Sequence, residues 1–183
     1  MKTVKKIFSK VLLCLVWVLL STVIWSWLFN IKTDVSPKKK ITVFIDAESV
    51  RDDALADYLS SKKPEKIMLI QVHPFSYAMF DEHALTHADI YIVGADNAEK
   101  YIESFLPLDK TNENKECFVY DGVSYGIKIY DAQTGDGSAG EYIDYGGQDY
   151  YLFYGVNSPH AGEMNGSNDG YAIDIADEII KLK

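Results

Sequence analysis

The run Ile41-Thr-Val-Phe-Ile45, closed by Asp46, decides how the rest of the chain is read. β-Branched and aromatic residues fill it, so it reads as a strand. Behind it Val50, Ala54, Leu55, Tyr58 and Leu59 fall at helical spacing, and Pro64 marks the helix end. Lys66-Ile-Met-Leu-Ile-Gln-Val72 is a second apolar run, stopped by His73-Pro74. A shorter helical stretch covers residues 77–86. Asp89-Ile-Tyr-Ile-Val93 is a third strand ended by Gly94, and Ala98, Tyr101, Ile102, Phe105 and Leu106 give the next apolar helix face, closed by Pro107. Residues 41–108 therefore read β-α-β-α-β-α. Near-continuous apolar strands alternating with helices predict an α/β fold, a mostly parallel wound sheet with helices on both faces.

Downstream the pattern changes. Cys117–Tyr120, then Asp121-Gly122, then residues 124–130 predict a hairpin, because Asp-Gly supplies the positive φ angles of a tight turn. Residues 131–148 form a Gly- and Asp-rich loop, Tyr150–Tyr154 an aromatic strand and residues 155–168 a polar loop. Ile173, Ala176, Ile179 and Ile180 give a C-terminal amphipathic helix with Ser167 or Asn168 as its cap.

Upstream, residues 11–29 read VLLCLVWVLLSTVIWSWLF without a charge. A helix of that length rises about 28 Å, close to the hydrocarbon thickness of a bilayer. Lys2, Lys5, Lys6 and Lys10 precede it, and the bulky Trp25-Ser-Trp-Leu28 offers no small-x-small cleavage site. Residues 1–30 are expected to be an uncleaved signal anchor and transmembrane helix, residues 31–40 a tether, and residues 41–183 one domain. A ten-residue tail is easily kept inside and a long domain translocates largely regardless of charge. The expected location is the cell membrane, single-pass, with the domain on the extracytoplasmic side. Cys14 lies in the apolar run without the small residue a lipidation site needs, and Cys117 reads as a buried strand residue, so no disulfide is expected.

Of 183 residues, 18 are basic and 27 acidic, unevenly placed. Residues 1–40 hold eight lysines and one acid, whereas residues 41–183 hold ten basic and 26 acidic side chains, a formal charge of −16. Nucleic-acid binding is excluded on that balance, since phosphate contacts need clustered Lys and Arg and the chain has one arginine, Arg51. A broad anionic-lipid surface on the domain is disfavoured for the same reason.

In open parallel sheets ligands sit outside the carboxyl ends of the strands. Those ends are Asp46-Ala-Glu48, His73-Pro-Phe75 and Gly94-Ala-Asp96, so a polar ligand would bond Glu48, His73 and Asp96. The plain alternative is that Asp46 and Asp96 cap the following helices. His83 and His87 share a helix face at i, i+4, but no third ligand accompanies them. Residues 131–137 lack the alternating oxygen ligands of a calcium loop. Ser158 and His160 lie two apart with no nucleophile-elbow pattern. No cofactor motif and no metal site is expected.

Several of these segments together resemble a known family. Ile41-Thr-Val-Phe-Ile-Asp46, Ala88-Asp-Ile-Tyr-Ile-Val-Gly94 with Phe105-Leu-Pro-Leu-Asp109, Tyr120-Asp-Gly-Val-Ser-Tyr-Gly-Ile127, and Tyr150-Tyr-Leu-Phe-Tyr154 with Ser158-Pro-His160 resemble the extracellular solute-binding proteins of ATP-binding-cassette importers. The resemblance implies one lobe of a periplasmic-binding-protein fold plus a hinge-like hairpin. The 143 residues past the tether leave no room for a second full lobe. Carried over, Glu48, His73, Asp96 and Tyr130 fall on the family's cleft-facing loops and hinge. The expected function is then a membrane-anchored, extracytoplasmic, non-enzymatic domain that binds a small polar ligand, saccharides included, or a partner protein such as a transporter permease. The alternatives are a structural or assembly module without a small ligand, and a hydrolase using His160 or His73 as base.

Overall fold

The computed structural model describes residues 2–33, 35–108 and 116–182; within 2–9, 11 and 27–33 only the helix backbone is described. The chain divides into two compact units, Met1–Ser36 and Pro37–Lys183. The first is a single helix, α1 (Lys2–Thr33), on which Leu12, Leu13, Trp17, Leu19 and Trp25 are exposed. Among the described residues no helix is long and apolar enough to cross a membrane, so the expected transmembrane span is not shown. Side chains are described continuously only over residues 12–26 of the expected span, and those fifteen residues rise about 22 Å against roughly 30 Å of hydrocarbon. Over the rest of that span within 2–30 the helix backbone is described, but the side chains, except that of Lys10, are not.

The second unit runs β1 (Lys40–Ile45), β2 (Ser49–Val50), α2 (Asp52–Lys62), β3 (Leu69–Pro74), a 3-10 turn (Phe75–Met79), α3 (Glu82–Thr86), β4 (Ile90–Gly94), α4 (Ala95–Ala98) with a 3-10 extension (Glu99–Ser104), β5 (Cys117–Tyr120), β6 (Val123–Tyr130), β7 (Ile143–Asp144), β8 (Tyr150–Tyr154) and α5 (Tyr171–Lys181). Six strands form one sheet of order β3-β1-β4-β8-β6-β5, and β2 pairs with β7 in a small separate ladder. β1 is parallel to β3 and β4, but β4–β8, β8–β6 and β6–β5 are antiparallel. The sheet is mixed, which corrects the mostly parallel expectation. Every residue of β8 is buried, and a strand buried on both faces reads as the same apolar run whichever way it points.

Alternation along the central strands builds two cores. Ile41, Val43, Ile45 and Leu152 face Leu55 and Leu59 of α2 and Ile175 and Ile179 of α5. Phe44, Tyr91, Val93 and Phe153 face the other way, against Ala98, Phe105, Phe75 and Tyr77. Helical segments thus cover both faces. The hairpin turn has φ of 48° at Asp121 and 78° at Gly122, the paired left-handed geometry that Asp-Gly favours. The hairpin is no hinge to a second lobe, because β6 pairs along β8 inside the single sheet. Nor do Ser167 and Asn168 cap α5; its N-cap is Gly170, without a side-chain cap bond.

The direction of the connections positions the site. β1 leaves through α2 onto one face, whereas its neighbour β4 leaves through α4 onto the other. Such a reversal opens a crevice outside the carboxyl ends of the two strands.

Candidate functional site

At that crevice Asp46 ends β1, its N–H donating to the Ile92 carbonyl at 2.8 Å. Its carboxylate does not cap α2. Oδ2 accepts from Asn97 Nδ2 at 2.8 Å, tying the end of β1 to α4. The loop before β8 packs over the same place. Gln148 Oε1 accepts the Asp96 N–H at 2.8 Å, and the Asp149 carbonyl accepts the Ala95 N–H at 2.9 Å. A Cβ on Gly94 would lie 2.6 Å from the end of the Gln148 side chain, so a larger residue there would have to displace that amide.

Beside this closed mouth lies an open cleft of about 360 Å³, lined by Asp46, Glu48, Ser49, Pro74, Phe75 and Ser76. It spans the carboxyl ends of β1 and β3, and its size is at the lower end for a small-ligand site. Glu48 is exposed and its carboxylate has no hydrogen-bond partner among the described residues; it lies against Gly146. Tyr150 sits behind it, its hydroxyl accepting the Gly146 N–H at 3.4 Å. Burial pushes the Tyr150 hydroxyl pKa up, and the charges of Asp46 and Glu48 push it further. The field around the cleft is therefore negative.

The four residues picked from sequence do not converge. Glu48 lines the cleft. Asp96 is exposed in the first turn of α4, where its N–H rather than its carboxylate is engaged. His73 stacks on Tyr77 with ring centroids 4.0 Å apart at 6°, and lies 5.5 Å from Phe44. That stacking makes its ring an aromatic packing element, and burial lowers its pKa, partly offset by Asp52 and Asp81. Tyr130 stacks on Tyr145 at 4.5 Å and lines a different cleft of about 310 Å³ with Lys128, Asp131 and Asp136. Ser49 and Ser76, which sequence reasoning missed, and Phe75, read only as part of a strand end, border the same strand ends. Their signal was position, three or four residues beyond an apolar run, rather than any motif.

Lys128 is the hub of the second cleft. Its ammonium is 2.9 Å from Asp149, 2.9 Å from Asp131 and 3.2 Å from Glu116. Asp149 foremost, these carboxylates raise its pKa, and Lys128 in turn lowers that of Asp131.

A third constellation is buried. Ser158 Oγ donates to Asp89 Oδ1 at 2.6 Å and accepts the His160 N–H at 3.0 Å; Asp89 Oδ2 accepts the Thr42 N–H at 2.8 Å. The His160 ring, fully buried, has Nδ1 at 2.7 Å from Asp169 Oδ1 and Nε2 at 3.1 Å from the Pro37 carbonyl. A hydrolytic pair needs the imidazole on the serine hydroxyl. Here neither ring nitrogen meets Ser158, and the group knots Pro37, β1, the start of β4 and the loop before α5 together. His83 and His87 stack at 4.1 Å, and among the described residues no group of three or more His, Cys, Asp or Glu is placed to hold a metal.

No protein-family model and no curated protein matches the chain.

Proposed function

We propose that residues 37–183 form a non-enzymatic, extracytoplasmic binding module that takes a small neutral or cationic polar ligand in the cleft of Asp46, Glu48, Ser49 and Ser76. The carrying observation is an open, acid- and hydroxyl-lined cleft beside the point where the connections of the sheet change faces. Two carboxylates and two hydroxyls offer acceptors and rotatable donors for a polyol or an ammonium group, and Phe75 offers an apolar wall. Saccharides and amines are the classes this lining suits, and strongly anionic solutes are repelled. The motif resemblance to solute-binding proteins of importers favours the same reading, with a permease as the partner class.

The test is a thermal-shift screen of the purified full chain against sugars, amino acids and amines. A true ligand at a hundredfold excess over its Kd should raise Tm by about 5 °C. Glu48→Gln should remove that rise without lowering the Tm of the free protein. A second reading, an assembly module without a small ligand, is favoured by the Asp46–Asn97 bond and the seated Gln148, which shut the β1/β4 mouth. It prevails if no compound shifts Tm at millimolar concentration.

A further inference from the structure

Net charge hides a polarity in the second unit. The Met68 N–H donates to the Lys39 carbonyl at 2.8 Å, and Lys40 pairs in register with Leu69. The Lys63 ammonium bonds the Ile67 carbonyl and, at 3.2 Å, that of Met68. These bonds bring two lysine segments, residues 38–40 and 62–66, to the edge where the parallel strands begin. Lys38, Lys39, Lys62 and Lys66 are exposed there, Lys63 is half-buried, and Met68 among them is 60 % exposed. Glu65 is the one acid in these segments. Six of the 13 cationic residues of Pro37–Lys183, Lys40 included, thus gather at one edge. The acidic cleft lies at the other end of β1, about 20 Å away for a strand of six residues.

We propose that this edge docks on an anionic lipid surface, with the lysines on headgroup phosphates and Met68 entering the interface. Lysine ammoniums around an exposed apolar side chain are the interfacial pattern. A nucleic acid fits less well: the edge has no arginine fork, Met68 has no role on a phosphate backbone, and the remaining surface, strongly acidic, repels a long polyanion. The inference is independent of the ligand cleft.

Methionine oxidation reads it directly on the full chain, because Met79, 87 % exposed, lies beyond the far end of β3 and serves as an internal reference. With phosphatidylcholine vesicles carrying about 30 % phosphatidylglycerol, peroxide oxidation of Met68 should slow about threefold or more relative to Met79. Plain phosphatidylcholine should leave the ratio unchanged, and about 0.5 M NaCl should abolish the effect. Lys38→Gln/Lys39→Gln/Lys66→Gln should abolish it too, while leaving the urea midpoint in place, since these three side chains are exposed and make no hydrogen bond among the described residues. Equal ratios on both vesicle types would overturn the proposal. So would protection of Met68 by single-stranded DNA without protection by vesicles.

Discussion

Asp89 shows what a buried carboxylate costs and what it holds. It is 2 % exposed, and burial pushes its pKa up to about 6, against the pull of its bonds from Ser158 and Thr42 and of the nearby His160 and Lys40 charges. Its pKa in the folded chain thus lies above the ordinary 3.8, so the folded state binds that proton more tightly than the unfolded one. The contribution is complete below pH 4 and is lost as pH rises through about 6. Its size is on the order of 3 kcal/mol. Asp89→Asn should therefore flatten the fall in urea-unfolding free energy between about pH 4 and pH 7 by that order. At pH 4.5 the parent carboxyl is protonated and, like Asn, offers one carbonyl acceptor and one donor to Thr42 and Ser158, so the variant should match the parent there within about 1 kcal/mol. An unchanged pH slope would mean that another group carries the dependence. The same knot holds the His160 ring, whose two nitrogens lie against the Asp169 carboxylate and the Pro37 carbonyl.

At the scale of elements the closest fit is where β8 ends against the start of β4. The Gly155 N–H donates to the Asp89 carbonyl at 2.9 Å, and a Cβ at residue 155 would lie 2.0 Å from the Ala88 carbonyl oxygen. Backbone cannot swing aside as a flexible side chain can. Gly155→Ala should cost about 3 kcal/mol, read as a lower urea midpoint with an unchanged m-value. Gly126 is a softer case, since the atoms a Cβ would meet belong to the Phe153 ring. This seam also marks where sequence reading stopped. The runs at 41–45, 89–93 and 150–154 were legible as strands because their composition is apolar and β-branched or aromatic, and the hairpin because Asp121-Gly122 fits its turn. The direction of β8 was not legible. A strand buried on both faces carries no alternation to orient it, and the long loop before it bears no helical period that would announce a parallel crossover. That Glu48 follows β1 at a strand end was legible from its position. The partners of the other two were not: that His73 stacks on Tyr77 and Tyr130 on Tyr145 is supplied by tertiary packing, which neither strand-end position nor a family hinge encodes.

The whole second unit is built on segregated charge. α2 alone shows it, with Asp52 and Asp53 in its first turn and Lys62 in its last. That order suits the helix dipole and places acids at the cleft edge and lysines at the opposite edge. Two salt effects then compete. The acids of the cleft edge and the helix surfaces repel one another through solvent, and that repulsion is screened within a Debye length of about 10 Å at 0.1 M salt. The Lys128 hub attracts, and its ammonium side chain is only 11 % exposed, so salt weakens it less. Repulsion should therefore lose more than attraction. Raising NaCl from about 0.02 M to about 0.5 M should increase Tm by about 2–4 °C, the shift that roughly 1 kcal/mol produces in a chain of this size. Sodium sulfate strengthens apolar burial as well, so the comparison belongs in chloride. Lys128→Met separates the contributions. It leaves Glu116, Asp131 and Asp149 facing one another without a cation, which adds repulsion and should steepen the gain of Tm with salt. A Tm that falls with salt in the parent chain, and rises only in Lys128→Met, would place the Lys128 network above the acidic surface as the dominant electrostatic element of the fold.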